Sequence, residues 1–221
     1  MIPDIACAGC GCQDGSVPQV RPYRGIDAAE RLAQRRARLI DAGLDLLGAA
    51  PPAPELTVRT ICGRAGVAMR YFYESFADKD VFVEAVFDNV IAALAATTQA
   101  AVAAAPLLEQ SRAGMANIVH AIADDPRVGR LLFSVQLSNE VLARKRTEST
   151  AFFAMLLGQH AGDALQLPAD DRRRASTHFA VGGVAQTLSA WLSGEIAFTP
   201  DELVDHLAFL LNALGMRAVR R

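Results

Sequence analysis

Cysteine is scarce, neither sign of charge is in large excess, and no apolar run is long and unbroken. The 221 residues hold four Cys. That is too few for a disulfide scaffold at this length, and Cys62 stands far from Cys7, Cys10 and Cys12. Lys and Arg number 22 against 24 Asp and Glu, a formal charge of −2. This excludes a uniformly basic, histone-like binder but leaves room for a local basic patch. The opening Met1-Ile2-Pro3-Asp4 lacks a positive start and an apolar core, so no secretory signal is expected. The most apolar stretch, 90–108, is interrupted by Thr97, Thr98, Gln99 and Pro106, and it reads as a buried helix with no membrane partner. No nucleophile elbow, phosphate loop or metalloprotease spacing occurs. His120, His160, His178 and His206 are too scattered to pair as ligands. No enzyme activity, catalytic residue, cofactor or metal is therefore expected.

What is present is ordinary globular composition, 52% hydrophobic and 21% charged, with material for one or two domains and a cytoplasmic location as the expectation. Charge is uneven along the chain. Residues 1–20 carry −2, residues 21–79 carry +3 and residues 80–221 carry −3, so a polyanion would meet the early module. Residues 1–22 read as a mobile tail. Its three thiols suit a metal site or a thiol-based redox switch; a tetrahedral metal site would need a fourth ligand, and no His lies nearby.

No segment alternates with period two long enough for a strand, and the apolar spacing is helical throughout. Ile26, Ala29, Ala33, Ala37, Ile40, Leu44 and Leu47 form one stripe, closed by Gly48 and the Pro51-Pro52-Ala53-Pro54 run. Thr57 is a candidate cap for a short helix from Val58 to Arg64, and Ala68 to Phe76 is a second short helix. Asp78 can cap a long helix from Lys79 to about Ala105, before Pro106. Further helical patterns span 107–123, 126–137 and 139–160, broken near Asp125-Pro126 and Gly162. Another opens at Leu167-Pro168 and runs to Gly194. The last has a complete start signal in Thr199, Pro200 and Glu202. The expectation is an all-α protein: tail 1–22, a helical head 23–78 and a helical bundle 79–221.

The informative stretch is 56–79, LTVRTICGRAGVAMRYFYESFADK. Two short helices joined by a Gly-containing turn make a helix-turn-helix. Cys62 is small where the helices cross, Gly66 serves a turn needing positive φ, and Val67 and Phe72 plug the core. The second helix then presents Ala68, Met69, Arg70, Tyr71 and Glu74 near its N-terminal half, where base edges are read. With the helix before it, this pattern resembles the TetR family of ligand-responsive transcriptional regulators. The resemblance is carried by Thr57-Val58-Arg59, Ile61, Ala65-Gly66-Val67, Phe72-Tyr73, Phe76 and Lys79. Residues 26–47 resemble the family's first helix. Trp191-Leu192-Ser193-Gly194 and Thr199-Pro200-Asp201-Glu202-Leu203 resemble its last two.

The resemblance implies an all-helical homodimer whose three N-terminal helices bind double-stranded DNA. Its C-terminal bundle would dimerise and hold a small-molecule effector that spreads the two heads and releases a palindromic operator. On this chain it implies phosphate contacts for Thr57, Tyr73 and Lys79, and groove positions for Arg59, Arg70 and Tyr71. Tyr73 has packing with Phe72 and Phe76 as its alternative. Lys79 is disfavoured by the dipole at a helix N-terminus, which favours a phosphate partner. The family commonly has Ser or Thr where Ala68 stands, and Ala68 cannot cap. Met69 and Tyr71 at the groove suggest thymine-methyl contacts.

An apolar effector pocket is expected from Phe133, Gln136, Phe152, Met155, Gln186 and Trp191. Dimerisation is expected through Phe179, Val184 and Leu188 with Leu203, Leu207 and Leu211. The helix from Lys79 is expected to be the only element touching both head and bundle, and hence the lever between them. The alternative function is a helical-bundle small-molecule carrier or enzyme that has lost DNA binding.

Overall fold

The structure, a computed structural model, describes residues 28–52, 54–134, 140–165 and 170–219. Among these there is no strand; the elements are α1 (Ala28–Leu47), α2 (Val58–Ala65), α3 (Met69–Ser75), α4 (Lys79–Ala104), α5 (Gln110–Asp124), α6 (Pro126–Phe133), α7 (Glu140–Leu165), α8 (Asp171–Leu192) and α9 (Pro200–Val219). The all-α expectation holds.

The helix starts follow local chemistry. Thr57 caps α2 reciprocally with Thr60: Thr57 Oγ1 accepts from the Thr60 N–H at 3.1 Å, and Thr60 Oγ1 accepts from the Thr57 N–H at 2.9 Å. Asp78 Oδ1 accepts from the Val81 N–H at 2.8 Å and starts α4. At α9 the Glu202 carboxylate accepts from the Thr199 N–H at 2.8 Å, completing the box legible in the sequence. Ala68 makes no side-chain cap at α3.

Two boundaries and the burial of one helix face differ from the sequence expectation. α7 does not break at Gly162 but runs on to Leu165. One Gly costs only about 1 kcal/mol in a helix, and here the absent side chain leaves room for the Arg173 guanidinium of α8. α8 starts after Asp170, which accepts from the Arg173 N–H at 2.8 Å; Leu167-Pro168 lies outside the described residues. The α1 stripe is buried only in its second half. Leu39, Ile40, Ala42 and Leu47 are in the core, whereas Ala29, Ala33 and Ala37 are exposed. The period is right, but other elements cover only the later turns.

Two apolar clusters hold the molecule. The first joins Leu39 and Leu47 of α1, Ile61 and Cys62 of α2 and Phe72 of α3 to Phe82 through Leu94 of α4, Leu131 and Leu132 of α6, and Leu142 of α7. The second joins Met115, Val119 and Ile122 of α5 to Leu188 of α8 and Leu203, Val204 and Leu207 of α9. The first cluster therefore runs straight across residue 78, so the head shares its core with the bundle. α4 is long and apolar enough to cross a membrane by composition. Here it packs between α1, α5 and α7 as the central helix.

Candidate nucleic-acid interface

The α2–α3 unit is built around Gly66. Its φ of 64° and ψ of 39° lie in the left-handed region, which an L-residue with a Cβ adopts only at a cost. Val67 N–H then returns to the Cys62 carbonyl at 3.1 Å, closing α2 and aiming α3. Burial pushes the Cys62 thiol up in pKa, so this cysteine is a packing residue where the helices cross. Phe72 anchors α3 from below: it is fully buried and its ring centroid lies 5.6 Å from Phe76 and 5.4 Å from Phe82.

That anchoring turns the other side of α3 outward. Met69 is 47% exposed and Tyr73 57% exposed. Arg59, Ala68, Arg70 and Lys79 are exposed, and Thr57 is half-buried in its cap. The Tyr73 ring meets Phe72 edge-on at 5.4 Å, while most of its surface stays open. Tyr71 is the residue whose setting the sequence hid. It is half-buried, with the Arg35 guanidinium 4.2 Å and the Arg70 guanidinium 4.6 Å from its ring centroid. Arg70 Nη2 also donates to the Tyr71 hydroxyl at 2.5 Å. Arg35 pairs with Glu74 at 3.9 Å as well. Arg35 thus joins the surface from α1. Its only sequence signal was a position off the apolar stripe, which every solvated Arg shares.

The head is clasped to the bundle by charge. Asp45 of α1 accepts from Arg64 of α2 at 2.7 Å and from Arg127 of α6. Arg127 also donates to Asp125 at 2.7 Å, and Arg130 donates to the Gly48 carbonyl. This corrects the expectation that α4 alone touches both parts: α6 docks on the end of α1. The sequence could not show it, because both joints link residues 82 positions apart.

Burial pushes the Asp45 carboxyl up, but Arg64 and Arg127 outweigh it and hold its pKa below the ordinary 3.8. Arg127 lowers Asp125 likewise. Folded values below unfolded ones mean that the clasp stabilises fully above the unfolded pKa and is lost as pH falls through the folded values. Melting temperatures of the wild type and Asp45→Asn should therefore differ by a constant amount from neutral pH to about pH 4 and converge below it. A gap unchanged down to about pH 2 would show that the carboxylate charge is not what holds the joint.

No protein-family model and no curated protein sequence matches the chain. Solved structures do. A putative TetR-family transcriptional regulator from Syntrophomonas wolfei superposes with a TM-score of 0.68 at 14% identity, over 83% of this chain and 96% of that one. The fatty acid degradation regulator FadR of Bacillus halodurans gives 0.67 at 17% identity over 80% and 94%. A transcriptional regulator FadR of Bacillus subtilis, solved in complex with stearoyl-CoA, gives 0.64 at 17% identity over 79% and 96%. The chain has the TetR fold.

Within this TetR fold, of the five expected pocket residues that lie among the described ones, only Met155 lines either of two cavities, one between α7 and α8 and one between α1 and α4. Phe133 is half-buried between the two clusters, and its carbonyl accepts from Ser189 at 3.3 Å. Trp191 packs against the second cluster and donates to the Phe198 carbonyl at 2.8 Å. Met155 lies on a cleft of about 270 Å³ between α7 and α8, with Thr177 and His178 opposite. Phe152 and Gln186 are exposed, and Gln136 lies outside the described residues, as do Cys7, Cys10 and Cys12. A larger open groove of about 790 Å³ runs between α1 and α4 along Ala37, Ile40 and Ala85.

The expected dimer face is also redistributed. Leu188, Leu203 and Leu207 are buried within the chain's own second cluster. Large apolar residues exposed on the same helices include Phe179, at 71%, and Phe209, at 65%, with Leu192, Leu210 and Leu214.

Proposed function

We propose that the protein is a DNA-binding transcriptional regulator, a homodimeric repressor released from a palindromic operator by a small apolar effector. The observation that carries this reading is α3. Met69, Arg70 and Tyr73 stand exposed on one short helix whose start is aimed by the left-handed Gly66 turn, with Arg59 and Lys79 beside it. A helix that reads base edges needs free side chains at its N-terminal half and phosphate-binding groups at its flanks. In this reading Thr57, Tyr73 and Lys79 hold phosphates, and Arg59, Ala68, Met69, Arg70 and Tyr71 face the groove. Tyr71 also orients Arg70, because the two are already hydrogen-bonded.

Exposed Phe179 and Phe209 on α8 and α9 support a two-fold interface there. The apolar bundle supports a hydrophobic effector, as does the stearoyl-CoA in the Bacillus subtilis neighbour. A cytoplasmic location follows from the same reading.

The test is selection of bound duplexes from a random pool, together with a gel shift on DNA upstream of the protein's own coding region. An enriched palindrome is expected. Lys79→Ala should weaken every duplex by a similar factor and lower the salt slope by about one unit. Arg70→Ala should cost about 1–3 kcal/mol at particular base pairs. No enrichment, and no shift at low salt, would sink the reading in favour of a carrier or enzyme built on the same bundle.

A further inference from the structure

One guanidinium in α7 has no counter-ion among the described residues. Arg144 pairs with Glu84, and Lys145 with Asp88 and Glu148. Arg146, next in the chain, meets no carboxylate. Its Nη2 donates to the Leu131 carbonyl at 2.8 Å, while its Nε is closed off from solvent with no hydrogen-bond partner among the described residues. The internal segments outside the described residues, 135–139 and 166–169, contain no Asp or Glu, so neither supplies the missing charge. Burial pulls the Arg146 pKa below its ordinary value, the mark of a cation short of compensation.

The face of α7 that carries Arg146 is mixed: half-buried Ser149 and Thr150 lie one turn on and donate to the Arg146 carbonyl, both at 2.9 Å, with apolar residues beyond them. Leu142 precedes Arg146 by one helical turn and Phe153 follows by two, on the same face of α7. Leu142 is in the first core cluster and Phe153 packs against it. A half-buried guanidinium without a counter-ion is costly, and an Arg fork flanked along its helix by Leu142 and Phe153 matches an oxyanion that carries an apolar tail.

We propose that Arg146 is the receptor for the anionic head of an amphipathic effector, an oxyanion bearing an acyl or aryl tail. This deepens the regulator reading above and rests on it. The location supplies a route to the head. The Leu131 carbonyl held by Arg146 belongs to the last turn of α6, and Arg127 and Arg130 of the same eight-residue helix hold Asp45 and Gly48 of α1. An anion that takes the Arg146 donors competes with that carbonyl, loosens one end of α6 and shifts the other against the head. Effector and DNA then disfavour each other by the same factor.

The experiment is isothermal titration of the full-length protein with dodecanoate, dodecanoyl-CoA and 1-dodecanol, using wild type, Arg146→Gln and Arg146→Lys. At least one anion should bind the wild type, at least about tenfold weaker to Arg146→Gln, with part of the loss recovered in Arg146→Lys; the alcohol should not discriminate among the three. Preference for dodecanoate assigns a carboxylate head, and preference for the thioester assigns a phosphate-bearing one. Equal anion affinity in wild type and Arg146→Gln overturns the proposal, as does failure of both anions to bind the wild type. If Arg146→Gln does not fold, Arg146→Lys decides: it keeps the charge but loses the fork, and unchanged anion affinity there overturns the proposal. No DNA enters these titrations, so failure of the regulator reading shows separately, in the duplex selection.

Discussion

Phe82→Ala should unfold the N-terminal head, at a cost of about 3–5 kcal/mol. Phe82 is fully buried one turn into α4, where its ring lies 5.4 Å from Phe72 and 5.1 Å from Phe76. Gly43 of α1 approaches the same ring so closely that a Cβ there would collide with it. One truncation therefore opens a cavity between α1, α3 and α4 at once, and rigid helix ends on three sides cannot collapse into it. Denaturant midpoints and duplex binding should fall together. A loss under about 1 kcal/mol would mean that α3 is held by something other than this ring cluster.

Leu207→Glu and the pair Phe179→Glu with Phe209→Glu should give opposite outcomes, although all three sites are apolar residues of α8 and α9. Leu207 is 2% exposed between α5, α8 and α9. A carboxylate there has no partner and no water, and losses above about 4 kcal/mol are typical of such burial. Insoluble or unfolded protein is expected. Phe179 and Phe209 face outward, so charges there should leave the fold intact and separate the subunits. Thermal melts and sedimentation velocity distinguish the two. A soluble Phe179→Glu/Phe209→Glu variant that still sediments as a dimer would place the interface elsewhere.

The acid sensitivity of Asp45 and the anion titration at Arg146 probe the same helix from its two ends. α6 is short, yet its basic residues reach α1 while Arg146 holds its last turn. If both ends behave as expected, α6 acts beside α4 as a second connection between bundle and head.

Local chemistry is legible in the sequence because it is set by neighbours in the chain. The Thr57, Asp78 and Thr199 caps, the left-handed Gly66 and the uncapped Ala68 all depend on residues within four positions, and each is readable from the order of residues alone. So is the all-α class, since helical spacing of apolar residues is itself a local property. Burial is less legible, because periodicity names a face but not what covers it. Ala29, Ala33 and Ala37 keep the period and remain exposed, while Leu203 and Leu207 fill their own bundle. The surface around α3 shows the same division. Met69, Arg70 and Tyr73 can be named from their positions after Gly66, whereas the stacking of the Arg35 guanidinium on the Tyr71 ring requires α1 to fold back across α3.

The order of residues was enough to set where helices begin, where the turn between α2 and α3 must bend, and which side chains that turn presents. It took the packed chain to bring head and bundle into one core and Asp45 to Arg127 across 82 positions. Packing also left Arg146 without a carboxylate among the described residues, while Arg144 and Lys145 beside it are paired. The difference is one of range. Capping and helical period are fixed by hydrogen bonds a few residues long, whereas burial and charge pairing depend on which helix faces arrive together, and that is settled only when the whole chain has packed.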